Sequence, residues 1–171
     1  MSKAYGIFYD QNGNVVWGTG GTSGRNHDPR QGQHLPGGTV GNYRDRTGDR
    51  TALQIQQQLT TELTEEFGPN LTATILGAGR QGTYTDQILD GNRVYFCFFQ
   101  VENNLFQPNI NNQVIGGSGP PEDSPFNNLI FAPSLQEIEQ PNNQIELGGN
   151  WFVVAISQLK QILGDTQQVN I

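Results

Sequence analysis

Apolar residues fall along this chain in segments of different period. AYGIFY at 4–9 and VVW at 15–17 are short apolar runs on either side of DQNGN, which carries tight-turn residues, so the pattern predicts an N-terminal β-hairpin. Residues 18–33 are rich in glycine and polar side chains and read as a loop. HLPGGTV at 34–40 reads as a short extended piece broken by Pro36 and two glycines, and 39–50 as a polar loop. From Ala52 the period changes. Ala52, Ile55, Leu59, Leu63 and Phe67 recur in steps of three or four, which predicts a helix with one buried stripe. Thr51 is placed to cap it, Gln54 completes a capping box, and Gly68 followed by Pro69 supplies the stop.

Beyond that stop the pattern predicts strands in LTATILGAGRQGTYTDQIL and NRVYFCFFQVE, with Asp90-Gly91 as the turn between two of them. Tyr95, Phe96, Phe98 and Phe99 do not alternate with polar residues, as expected of a central strand buried on both faces. Residues 103–133 are rich in Asn, Pro and Gly and read as a long loop. WFVVAI reads as a final strand, followed by a short helix from Ser157 to a stop at Gly164. The implied architecture is one domain over 1–171, of α+β or α/β class, with a mixed β-sheet and a helix on each face.

Composition narrows the function. The formal net charge is −7 and the pI about 4.6, which argues against a broad nucleic-acid or anionic-membrane surface, since both need clustered Lys and Arg. A small phosphorylated ligand held by a metal or a few local cations stays compatible with that balance. The single cysteine, Cys97, lies in an apolar run and reads as a buried core thiol; alone it makes no internal disulfide. No signal-peptide pattern or spanning apolar run is visible, so a cytoplasmic location is expected. GAGRQG at 77–82 fits G-x-G-x-x-G, but a polar, β-branched strand follows it where a dinucleotide site needs a helix. His27, Asp28 and His34 have no recognised metal-ligand spacing.

The strongest chemical signal is TELTEEFG at 61–68. Measured around the helix from Leu63, Glu66 lies about 60° to one side, Glu62 about 100° and Glu65 about 160° on the same side. Glu62 and Glu66 are neighbours one turn apart. Like charges at that spacing repel by a few tenths of a kcal/mol, and carboxylates near a helix C-terminus oppose the helix dipole. A hard divalent cation would compensate both penalties; the plainer alternative is a solvated acidic patch.

LPGG at 35–38 and ELTEEFG at 62–68 together resemble the signature of the Nudix hydrolase superfamily. That signature opens on a Gly-Gly after a strand, runs through a loop bearing a glutamate, and ends in a helix reading Arg-Glu-aliphatic-x-Glu-Glu-x-Gly. Glu62, Leu63, Glu65, Glu66 and Gly68 match the second half, and Gly38 matches the opening glycine. Two departures stand out. Thr61 occupies the place of the arginine, which leaves Arg44, Arg46, Arg50 and Arg80 as candidate supports for the acids. Gly38 to Gly68 spans 30 positions, longer than the signature, and the loop glutamate has no clean counterpart; Asp45 and Asp49 are the nearest acids.

The resemblance implies a Nudix-type α/β/α sandwich and a metal-dependent pyrophosphohydrolase. Glu62, Glu65 and Glu66 would hold Mg²⁺ or Mn²⁺ as catalytic ligands, with Glu66 foremost, and Gly37 and Gly38 would let the main chain approach metal and phosphate. The substrate would be a small nucleotide-type molecule, a nucleoside diphosphate linked to another moiety. A general base would come from the helix glutamates or from Glu137, Glu139 or Glu146. The alternative is a Nudix-fold binding or regulatory module with reduced or no catalysis.

Overall fold

Two strands carry the centre of the molecule because nearly every residue in them is buried. These are β1 (Ser2–Tyr9) and β8 (Asn92–Gln100), which run parallel with Lys3 opposite Val94 through Tyr9 opposite Gln100. The structure, a computed structural model, describes residues 2–20, 22–23, 28–29, 33–40, 51–77, 79–102, 105, 126–131 and 150–164. On one side of β8 lies β7 (Thr83–Leu89), joined to it antiparallel by the Asp90-Gly91 turn. Both turn residues have positive φ, 52° and 74°, as a two-residue hairpin loop of the right twist requires.

The free edge of β1 is shared. Its last residues pair with β2 (Val15–Gly20), Phe8 opposite Val16, and its first half pairs with β6 (Gly37–Val40), from Ser2 opposite Val40 to Tyr5 opposite Gly37. The sheet therefore splits beside Gly6, whose N–H donates to Pro36 O at 2.8 Å. Beyond β2 lie β5 (Gln33–His34) and β9 (Phe126–Phe131), both antiparallel to it, and β3 (Thr22–Ser23) pairs with β4 (Asp28–Pro29) in a small separate ladder. Only β1–β8 is parallel among the described pairs, so the sheet is mixed.

Each face of the sheet is covered by a helix, as the alternation of its strands dictates. On one face Ala4, Phe8, Val16, Tyr95, Cys97 and Phe99 meet Ile55, Leu59, Leu63 and Phe67 of α1 (Ala52–Phe67). On the other, Tyr5, Ile7, Phe96 and Phe98 meet Trp151, Ala155, Ile156, Leu159 and Leu163 of α3 (Asn150–Gly164). This is an α/β/α sandwich with a mixed sheet, as expected. Helix α1 has the expected capping box: Gln54 N–H donates to Thr51 Oγ1 at 3.2 Å, and Thr51 N–H donates to Gln54 Oε1 at 2.9 Å. Ala52 is exposed, so the buried stripe begins at Ile55.

Four expectations are corrected. LTATIL, read as strand, belongs to α2 (Pro69–Leu76). Pro69 ends α1, yet its fixed φ also suits the first turn of a new helix, and Thr72 and Ile75 then fall three apart on one buried side. WFVVAI, also read as strand, is the first half of α3. The apolar run alone does not separate strand from buried helix; the spacing of Trp151, Ala155, Ile156, Leu159 and Leu163 does, once the segment is followed past Ser157. Within 103–133, read as loop, β9 supplies a strand partner for β2. Within 18–33, β2 continues to Gly20 and the short strands β3, β4 and the first residue of β5 follow.

No described helix is long and apolar enough to cross a membrane. Cys97 is buried, and desolvation pushes its thiol from an ordinary 9.0 up to about 12. A raised folded-state pKa means the thiol contributes no pH dependence below about 9, and stability falls as pH climbs from there towards 12, because only the unfolded chain ionises. Native protein at pH 8 is expected to react with iodoacetamide far more slowly than urea-unfolded protein, as read by mass spectrometry; equal rates would place the thiol at the surface.

Candidate functional site

Gly37 and Gly38 sit where the sheet splits, and each is glycine for a steric reason. Gly37 has φ 143°, and a Cβ there would lie 2.1 Å from Ala4 O. At Gly38 a Cβ would lie 2.4 Å from Glu62 Oε2, so the missing side chain makes room for that carboxylate. The two glycines therefore do different things: one permits the backbone path, the other leaves room for the Glu62 carboxylate.

Helix α1 brings the acids to this strand. Glu66 is only 6% exposed, and its Oε2 accepts the Gly37 N–H at 2.8 Å. The contact joins residues 29 positions apart and links the two halves of the sequence motif. Glu62, one turn earlier, lies against Gly38, and its Oε1 accepts from Gln58 Nε2 at 2.9 Å. A buried carboxylate without such donors would pay a large desolvation penalty, so these hydrogen bonds fix where the negative charge sits. Glu65 is half-buried on the same helix.

Among the described residues, no three His, Cys, Asp or Glu side chains come together as a cage for an ion. The structure brings Glu62 and Glu66 to the glycine pair and does not add Glu65 to them as a third member. Two carboxylates are nevertheless a fitting donor set for Mg²⁺, which keeps several waters and is held through one or two carboxylates together with substrate phosphates. The donors are hard oxygens, they stand one helical turn apart, and the strand opposite them is free of side chains at two successive positions.

The supporting arginine expected for the acids is not Arg80. Its guanidinium donates to Ile75 O at 2.5 Å and to both carboxylate oxygens of Glu102, at 2.7 and 2.6 Å. Glu102 is held below the usual carboxylate range by its backbone hydrogen bond first and by Arg80 second. Thr61, in the arginine position, turns its hydroxyl back to Gln57 O at 3.1 Å. Among the described residues Gln58 braces Glu62, a contact that the expectation of an arginine overlooked; its i,i+4 spacing from Glu62 was the available signal. Arg44, Arg46, Arg50, Asp45, Asp49, His27, Glu137, Glu139 and Glu146 lie outside the described residues, while Asp28 and His34 fall in β4 and β5. GAGRQG follows α2 and leads into β7, so no helix N-terminus follows it.

On the opposite face, α3 is pinned to the β7–β8 hairpin by polar side chains. Trp151 Nε1 donates to Asp90 Oδ2 at 2.5 Å, and Gln158 Nε2 donates to Gln87 Oε1 at 2.9 Å. Trp151 also meets Tyr5 edge-on, ring centroids 6.3 Å apart, and Tyr5 is the β1 partner of Gly37.

No protein-family model matches the chain, and no curated protein matches it by sequence. Among solved structures it is similar to the MutT protein of Methanosarcina mazei Go1 (14% identity, 94% of this chain and 95% of that one, TM-score 0.48). It is similar as well to the Nudix domain of NrtR from Shewanella oneidensis complexed with ADP ribose (8%, 95% and 88%, TM-score 0.46). A third is a bifunctional NMN adenylyltransferase/ADP ribose pyrophosphatase from Francisella tularensis (13%, TM-score 0.49), where the match takes in 92% of this chain and 40% of that one. At these scores the likeness is one of overall chain course and decides nothing about chemistry.

Gly37→Ala is expected to destabilise the fold by about 2 kcal/mol or more, because it adds positive-φ strain to a backbone clash. Urea unfolding measures it; an unchanged midpoint would mean that β6 does not take this path.

Proposed function

We propose that this chain is a Nudix-type pyrophosphohydrolase that uses Mg²⁺ or Mn²⁺ to hydrolyse a nucleoside diphosphate linked to another moiety. One observation carries the reading: Gly37 N–H donates to Glu66 Oε2, so the glycine half and the glutamate half of the motif meet in space. A solvated acidic patch would leave Glu66 exposed, and it is buried.

In this reading Gly37 orients Glu66, and Gln58 orients Glu62, so that two carboxylates are held in place before substrate arrives. Repulsion between them is offset by a bound cation. When bound, the ion supplies neutralisation of the pyrophosphate oxygens and activation of the attacking water. Gly37 and Gly38 keep side chains away from the strand beside the acids, where a diphosphate needs room. Attack on one phosphorus breaks its bond to the bridging oxygen and releases a nucleoside phosphate and the phosphorylated partner group. Glu65, the third acid of the resemblance, stays a half-buried neighbour on the same helix, and the proposed ion rests on Glu62 and Glu66.

A second reading, a Nudix-fold binding module with reduced catalysis, is favoured by one observation. Thr61 gives its hydroxyl to its own helix, so the bidentate brace that an arginine would supply is missing at that position.

Mg²⁺ or Mn²⁺ is expected to raise the melting temperature in a concentration-dependent way, and Glu66→Gln to remove that rise while keeping the fold. ADP ribose and other nucleoside diphosphate derivatives are then screened with either ion, following nucleotide release. Glu66→Gln is expected to lower kcat/KM by about two orders of magnitude. Ion-dependent stabilisation without turnover of any compound selects the binding module; no stabilisation by either ion contradicts the hydrolase.

A further inference from the structure

Away from the glycine–glutamate contact, a recess of about 330 Å³ opens between the N-terminal half of α1 and the β7–β8 ladder. Its floor includes the buried Ile55, Leu59, Cys97 and Phe99, and none of its described lining residues belongs to the glycine–glutamate site. The volume falls within the range of small-molecule sites, about 300–1,000 Å³, which combine an apolar lining with a few polar groups.

The rim states what kind of molecule fits. Tyr84 is 47% exposed, yet its ring is held edge-on against Tyr95, centroids 5.9 Å apart at 75°, so an aromatic surface is kept in place at the mouth. The side-chain amides of Gln56 and Gln81 make no hydrogen bond among the described residues, which leaves donors and acceptors at the same mouth. The one cation lining the recess among the described residues is Arg80. Its side chain is 10% exposed, and Glu102 takes its charge, so the recess offers no surplus positive charge to an anion. The chain's net charge of −7 points the same way.

We propose that this recess binds a flat, uncharged aromatic compound with a carbonyl or amide edge, its ring against Phe99 and Tyr84 and its polar edge at the glutamine amides. This site is independent of the hydrolase reading. A nitrogen-15 NMR titration with benzamide, hypoxanthine and benzoate tests it and separates an aromatic amide from a purine with a carbonyl edge. At least one of the two uncharged probes is expected to shift the Gly82, Thr83 and Tyr84 signals and the Gln56 and Gln81 side-chain amides. Gly37 and Gly38 should not respond. Benzoate, matched to benzamide in shape, is expected to bind at least tenfold more weakly. Ala52→Phe, which fills the mouth from an exposed position, and Tyr84→Ala, also exposed, should each weaken the bound probe at least tenfold while keeping a native spectrum. The proposal is overturned if neither uncharged probe shifts these signals, if benzoate binds as tightly as benzamide, or if both variants bind like the original chain.

Discussion

A backbone N–H on a strand and a carboxylate on a helix hold this molecule's candidate site together. Gly37 donates to Glu66 at 2.8 Å, and Glu66 is buried. Hydrogen bonds to charged groups contribute about 1.5–3 kcal/mol, and leaving the carboxylate buried without a partner would cost more. The bond also ties a special backbone to a special helix face. Gly37 takes a φ open to glycine, and Glu66 occupies the edge of a stripe otherwise made of Ile55, Leu59, Leu63 and Phe67. Glu66 is the one charged residue among the buried residues of α1, so this polar join is the feature that calls for a chemical explanation.

The sandwich explains why the join can exist. Because β1 shares one edge between β2 and β6, the sheet opens beside Gly6, and β6 is free to lie under α1. Phe8 stacks on Phe99 at 5.4 Å and meets Phe67 at 6.3 Å, which fixes the C-terminal half of α1 over the sheet. The glutamates then face Gly37 and Gly38 as a consequence of core packing. On the far side, Trp151 and Gln158 fasten α3 to the β7–β8 hairpin by hydrogen bonds, and Tyr5 connects that layer to the strand pair that carries Gly37.

Much of this was legible in the residues, and the misses have physical causes. Helix α1 announced itself through period, capping box and terminal glycine, and the hairpins through DQNGN and Asp90-Gly91, because local interactions fix those features. Helix α2 was hidden by its β-branched Thr72, Thr74 and Ile75, whose weak strand preference was overridden by Pro69 at the helix start and by burial against α1. The first half of α3 read as a strand because WFVVAI is apolar throughout, and its helical side shows only when the spacing is followed past Ser157 to Leu159 and Leu163. Strand β9 sits in an Asn- and Pro-rich stretch, and its pairing with β2 is long-range, beyond what local pattern contains. At the site, the acids and glycines were visible, while the contact of the neutral Gln58 with Glu62 was passed over because only arginines were weighed as supports.

The most direct measurement is site-resolved paramagnetic broadening by Mn²⁺ in nitrogen-15 NMR spectra. Substoichiometric Mn²⁺ is expected first to erase the amide signals of Gly37, Gly38, Glu62 and Glu66, and to spare the Asp90-Gly91 turn and the middle of α3. Broadening centred elsewhere, or equally weak at every amide, would contradict the claim that the strand–helix contact at Gly37 and Glu66 is built to hold a divalent cation.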